Sequence, residues 1–337
     1  MAVTVRASAT QADDRFAAAI RGALEEAGWL PGGPTVRDAR MQAERTGGEL
    51  VDRLRSRCSP RSWDDGLAAL GYRNSAPDLR RMLGLGACLS EYVTAPIVGR
   101  DPAVAFLGAL ANLIVALYDR GIDELGMPMS AITRGTLRTV FSTRGVLDGR
   151  PWSSRSPAAA LLRRLIRVYA HEAASIGGWR GQGRAAYRRV SNTVVAMYAA
   201  EIAATSSQPL SEADLRRKSE LPVVLLGQGA WLRRPARELG WDEAGHLRWA
   251  ARVGELIGWL DDAVDFADDA RAGRQSLLTA RFLREPLRAD EVGRYVAGLL
   301  ASIERERRER CATCHPLTAN VASGCLMATI ASWLSSG

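Results

Sequence analysis

Apolar positions recur at three- and four-residue spacing along most of the chain, and no stretch alternates as a half-buried strand does. The pattern predicts helices over residues 11–28, 36–57, 63–71, 78–98, 103–124, 132–146, 156–176 and 183–205. Further helices are predicted from Ser211 onward and over 241–273, 290–310 and 317–334. Pro31-Gly32-Gly33-Pro34, Cys58-Ser59-Pro60, Gly126–Ser130 and Ser206–Pro209 punctuate them. Asp101-Pro102 reads as an N-cap and first turn, and Ser211 with Asp214 reads as another helix start. Residues 103–124 are apolar on most sides, which predicts a central helix; 317–334 should also pack in the core. Pro96 disturbs one helix, and Pro222 removes a backbone donor in mid-helix and predicts a kink.

The acids interrupt this pattern. Asp261, Asp262, Asp265, Asp268 and Asp269 follow a largely apolar run, Leu247–Leu260. A helix turns about 100° per residue, so Asp261, Asp265 and Asp269 fall on one face. Carboxylates stacked this way repel one another. Either the face is solvated or it holds a hard cation such as Mg²⁺, and the buried look of the upstream run favours the cation. A second pair, Asp119 and Asp123, ends the central helix, where acids oppose the helix macrodipole.

Composition changes the picture little. The 337 residues are rich in Ala, Leu and Arg, and no shift marks a domain boundary. The expectation is an all-α protein with a disordered lead over 1–10 and one helical domain over 11–337. The net charge of +8 is spread along the chain, which suits an anionic ligand and does not require nucleic acid. Five cysteines, no apolar leader and no uninterrupted apolar run of membrane length suggest reduced thiols, a cytoplasmic setting and no stable membrane insertion.

Asp119-Arg120-Gly121-Ile122-Asp123 and Asp261-Asp262-Ala263-Val264-Asp265, the second preceded by the cations Arg216, Arg217 and Lys218, resemble the class I isoprenoid synthase superfamily. That superfamily includes trans-prenyl diphosphate synthases and class I terpene cyclases, and the resemblance covers roughly 103–278. The first motif carries Arg120 where the family has a second Asp. The second matches the prenyl synthase form in full, and Asp261, Asp262, Asp265 and Asp269 also occupy the places of the cyclase form. Lys218-Ser219 looks like the Lys-Thr pair of prenyl synthases, and Gly273-Arg274 is similar to their Gly-Lys pair. Arg216 and Arg217 lie at the offset of the diphosphate-sensing Arg of cyclases. Gly32-Gly33-Pro34-Thr35-Val36-Arg37 is a faint echo of the second-diphosphate motif, and no Arg pair follows Asp123.

The resemblance implies a terpenoid synthase-like helical bundle around an apolar cavity. It implies Mg²⁺, three ions with the diphosphate, on Asp119, Asp123, Asp261, Asp262, Asp265 and Asp269. Arg216, Arg217 or Lys218 would hold the diphosphate of an allylic prenyl substrate of fifteen to twenty carbons, with Arg274 as a further contact. Tyr118, Tyr198, Trp231 and Trp259 are the candidate aromatic lining for a carbocation. The expected activity is that of a terpene synthase, a carbon–oxygen lyase. Prenyl transfer and a non-catalytic homologue that lost its metals at Arg120 are the alternatives, and a homodimer stays open. The mixed-charge run Glu304–Arg310 reads as a solvated face, Cys311–His315 as a loop with free thiols, and His171 and His246 as surface or satisfied core residues.

Overall fold

The computed structural model describes residues 15–30, 33–72, 77–125, 127, 132–142, 145, 156–178, 183–204, 209–233, 241–284, 287–311 and 316–334. Among them are fourteen α-helices and no strand. In chain order these are α1 (Arg15–Glu26), α2 (Gly33–Cys58), α3 (Pro60–Ala69), α4 (Pro77–Val98), α5 (Pro102–Asp119), α6 (Arg134–Val140) and α7 (Pro157–Gly177). Then follow α8 (Gly183–Ala204), α9 (Glu212–Leu232), α10 (Glu243–Val264), α11 (Phe266–Ala272), α12 (Leu277–Arg284), α13 (Ala289–Cys311) and α14 (Pro316–Trp333). The lead expected over 1–10 and the loop residues Gly126 and Pro128–Ser130 lie outside the described residues.

The most apolar helix is the centre. By length and composition the segment Pro102–Ile122 would span a membrane, although Asn112 and Tyr118 interrupt its apolar run. Half of it is buried instead, with α4, α7 and α9 packed along α5. Asp101 caps α5, accepting hydrogen bonds from the Ala103 and Val104 backbone at 2.9 and 3.1 Å. Arg233, just past α9, donates to the same carboxylate at 2.7 Å and ties the two helices together. One buried hydrophobic cluster runs from Phe16 to Leu334.

The helix expected over 241–273 is two. α10 starts after the Asp242 cap and stops at Val264; Asp265 leaves helical geometry (φ −95°, ψ 4°) before α11 begins. The break falls on the middle acid of the stacked three, where mutual repulsion makes continued helix least favourable. Gly273, with φ 70°, ends α11 in the left-handed conformation that glycine adopts without steric cost. The sequence pattern also missed α12, whose start is fixed by reciprocal Ser276 and Thr279 hydrogen bonds. Pro222 sits inside α9, which continues through it to Leu232.

The seam between α9 and α10 is unusually close. A Cβ at Gly254 would lie 2.7 Å from the Glu220 Cα, and one at Gly258 would lie 2.4 Å from the Ser219 Oγ. Gly254 therefore lets the two backbones touch, and Gly258, one turn on, makes room for the Ser219 side chain.

The charged run on α13 is corrected in part: Arg305, Arg308 and Glu309 are exposed, but two of its charges are buried. Glu304 and Arg307 are 1% and 2% exposed. Glu304 accepts from the Tyr92 hydroxyl at 2.7 Å, from Arg307 at 2.9 Å and from Ser323 at 3.1 Å. Burial is tolerated because both charges are paired and bonded. His246 on α10 is a satisfied core residue: Trp231 Nε1 donates to its Nδ1 at 3.0 Å, and its Nε2–H donates to the Val93 carbonyl at 2.8 Å. The partners assign the proton to Nε2. Burial disfavours the imidazolium and pushes His246 down to about 4.

Two outcomes are expected. Gly254→Ala should cost about 1–3 kcal/mol, read as a lower thermal midpoint by circular dichroism, because a backbone atom cannot rotate out of the way. For His246, the unfolded chain takes its proton near pH 6.5 and the folded chain near 4, so acid favours unfolding across that window. The loss should reach roughly 3 kcal/mol at most. His246→Gln should flatten this part of a plot of denaturant midpoint against pH; an unchanged slope would remove His246 as its cause.

Candidate active site

α5 delivers its last residue, Asp119, to the mouth of a cleft whose opposite wall is the end of α10. Asp119, Asp261, Asp262, Asp265 and Asp269 line one cavity of about 500 Å³. The structure thus brings the first acid of one cluster into a single space with four acids of the other. Asp123 lies in the π-turn Arg120–Glu124 that follows α5, and its side chain is outside the described residues. Two smaller chambers adjoin this cavity. One, about 280 Å³, runs between α5, α9 and α10 past Asn112 and Ser219. The other, about 80 Å³, is walled by apolar residues of α5, α7 and α8, with Tyr118 and Tyr198 in edge contact at 6.3 Å. Asp119, Glu201 and Lys218 line all three.

Burial, reinforced by concentrated negative charge, governs the electrostatics. Burial, then the charges of Asp265, Asp262 and Asp119, push Asp261 up to about 8. Burial raises Asp262 to about 7, against the backbone N–H groups of α12 that hold its charged form; Leu278 N–H donates to it at 3.1 Å. Burial and Asp265 raise Asp269 to about 6. Arg274 reaches Asp269 at 3.5 Å, and Lys218 reaches Asp119 at 4.0 Å and Glu201 at 3.2 Å.

Among the described residues, no three potential ligands gather tightly enough to form a ready-made metal cage. The donor set still suits Mg²⁺, which keeps several waters and takes one or two carboxylates plus phosphate oxygens rather than an all-protein cage. The upward shifts also mark a place where a cation would relieve repulsion.

Of the three candidate cations, only Lys218 reaches the cavities. Arg216 turns to Glu212 at 3.0 Å and Glu255 at 3.6 Å, and Arg217 is exposed and lines none of them. Arg216 and Lys218 lie about 200° apart around α9, with Arg217 between them on an exposed face. Arg274 lines the acidic cavity. Trp231 and Trp259 do not line these chambers and are corrections. Trp231 hydrogen-bonds His246, while Trp259 is buried against Tyr295, ring centroids 5.3 Å apart, with Arg281 over it. Both indoles are consumed by core packing on other faces of their helices. Arg120 also turns elsewhere, donating to the Leu70 carbonyl at 2.9 Å and lying over the Tyr72 ring.

Sequence reasoning missed Glu201. Its signal was present: Glu201 follows Val194, Met197 and Tyr198 by seven, four and three residues, so an acid sits on an apolar stripe. Asp261 tests the electrostatic account. An Asp whose folded value is raised from 3.8 to about 8 costs stability increasingly as pH rises through that interval. Asp261→Asn should therefore raise the metal-free thermal midpoint at pH 8.5 and have less effect at pH 5. Cleft water reaches this side chain, and with that screening the gain is roughly 1 kcal/mol.

No family model and no curated protein matches the chain. In shape it is similar to a geranyltranstransferase from Thermotoga maritima, at 13% identity over 85% of this chain and 98% of that one, with a TM-score of 0.48. It is similar to a geranylgeranyl pyrophosphate synthetase from the archaeon Geoglobus acetivorans, at 15% identity over 90% and 99%, TM-score 0.48. A polyprenyl synthetase from Streptomyces coelicolor aligns at 13% identity over 89% and 98%, TM-score 0.39. All three are named for prenyl transfer or prenyl synthesis, the group that the acid motifs resemble. Likeness this loose carries no argument about this chain's own reaction.

Proposed function

We propose that the chain is a magnesium-dependent enzyme that ionises one allylic prenyl diphosphate and lets the cation cyclise or lose a proton. The observation that carries this reading is the distribution of positive charge. Among the described residues the cations lining the three chambers are Lys218 and Arg274, and both border the same acidic cavity. One diphosphate has partners there; a second would compete for the same lysine. Asp119, Asp261, Asp265 and Asp269, with Asp123 by its motif position, would hold magnesium, which supplies positive charge for the leaving oxygens.

The chain's own residues do the rest. Lys218 and Arg274 orient the diphosphate over the ridge. As the carbon–oxygen bond breaks, negative charge builds on the leaving oxygen, and the Lys218 ammonium in a partly desolvated cleft stabilises it. The apolar chamber, together with the adjoining chamber past Asn112, receives the hydrocarbon tail and limits the access of water to the cation. Tyr118 and Tyr198 present aromatic surface there, the kind that stabilises passing positive charge. Asp262 is held by the start of α12 and fixes the ridge against that helix.

Prenyl transfer is the second reading, favoured by the chamber of about 280 Å³ beside the lysine, where a nucleophile has room. Loss of the metal site is disfavoured because Arg120 donates to Leu70, lies over the Tyr72 ring and is not among the residues lining the acidic cavity.

The test is incubation with fifteen- and twenty-carbon allylic diphosphates and Mg²⁺, with and without isopentenyl diphosphate, measuring pyrophosphate and the extracted products. Release is expected with no lengthening of the product. Asp119→Ala and Lys218→Ala should each lower it by about a hundredfold or more, with the helical spectrum intact. No release from the unaltered protein, or full release from both variants, would end this reading; longer products with isopentenyl diphosphate would favour transfer.

A further inference from the structure

We infer that Glu201 is the group that takes the proton when the carbocation is discharged. The inference rests on the reaction proposed above and deepens it.

Glu201 is half-buried on α8, on the stripe formed by Val194, Met197 and Tyr198. An acid on an apolar stripe carries a desolvation cost that an alanine or leucine would avoid. It lines the acidic cavity and both adjoining chambers, so it stands where the diphosphate end of a substrate meets its hydrocarbon end. Within the apolar chamber the charged lining groups are Asp119, Lys218 and Glu201. Asp119 belongs to the ridge and Lys218 is a cation, so the carboxylate that looks along the tail is Glu201.

Its partner links the two events. The Lys218 ammonium is 3.2 Å from a Glu201 oxygen and 4.0 Å from an Asp119 oxygen. A diphosphate in the acidic cavity carries more negative charge than either carboxylate, and Lys218 turns toward it as ionisation proceeds. The hold of Lys218 on Glu201 weakens at the moment when a cation forms beside it. A Glu201 oxygen then removes a proton from the carbon next to the cationic centre. The electron pair of that C–H bond becomes the new C=C bond, the positive charge is cancelled, and the carboxylic acid returns its proton to cleft water. The products are a hydrocarbon, free diphosphate and one proton.

The experiment reads the ratio of hydrocarbon to alcohol among extracted products by mass spectrometry. A cation deprived of its base survives until water adds, so Glu201→Gln should lower that ratio by about tenfold or more. Glu201→Asp should restore part of it. Ile202→Gln, the same kind of polar side chain on the exposed neighbour, should leave the ratio unchanged. Thermal midpoints of all variants report folding, and if Glu201→Gln does not fold, Glu201→Asp decides by whether its ratio falls. A ratio that Glu201→Gln does not move, or an unaltered protein that yields only alcohol, overturns the inference. Absence of pyrophosphate release from the unaltered protein is a different failure: it refutes the parent reaction and the inference falls with it.

Discussion

Like charges do not gather unless something holds them, and in this protein what holds them is the burial of helices with no polar alternative. α5 is apolar around most of its circumference, so its neighbours enclose it and its terminal acid goes wherever the bundle sends it. α10 is buried along Trp249, Val253, Leu256 and Leu260 and brings its own acids to the same cleft. Hydrophobic burial is the larger quantity, and it carries the acids into a site where burial first, and their like charges second, lift Asp261, Asp262 and Asp269 far above ordinary carboxylates. The strain appears where it is cheapest to relieve, as the helix break at Asp265.

Much of this was legible in the sequence. The Asp101 and Ser211 caps, the enclosure of the central helix and the meeting of Asp119 with the second acid cluster all follow from spacing and local chemistry. Each depends on residues close together in sequence, or on a face that must be buried. What escaped depends on distant partners. Trp231 and Trp259 have the composition of cavity lining, and only the fold reveals that His246 and Tyr295 claim them. The charged run on α13 looked solvated because nothing nearby in sequence announces Tyr92 and Ser323. The choice among Arg216, Arg217 and Lys218 needed the rotational phase of α9, which the pattern around Pro222 obscures.

The second place of the first acid motif illustrates how a local departure is absorbed. Arg120 would bring positive charge to an anionic ridge if it faced inward. The π-turn that follows α5 carries it toward the end of α3, where a carbonyl oxygen and an aromatic face receive the guanidinium. The residue that breaks the motif has become a strut for the loop, and the ridge keeps its sign.

The seam at Gly254 and Gly258 divides labour between the two sides of the cleft. With main chain against main chain at Gly254 and only the small Ser219 side chain over Gly258, α9 and α10 have little slack between them, and the spacing from Lys218 to the acids is held by that close approach. The opposite side, built from Ile132, Leu137, Val194 and Met197, is made of ordinary side chains with free choice of bulk. Selection or design can therefore rescale the guest by trimming or enlarging that side, while the charged grip stays in register.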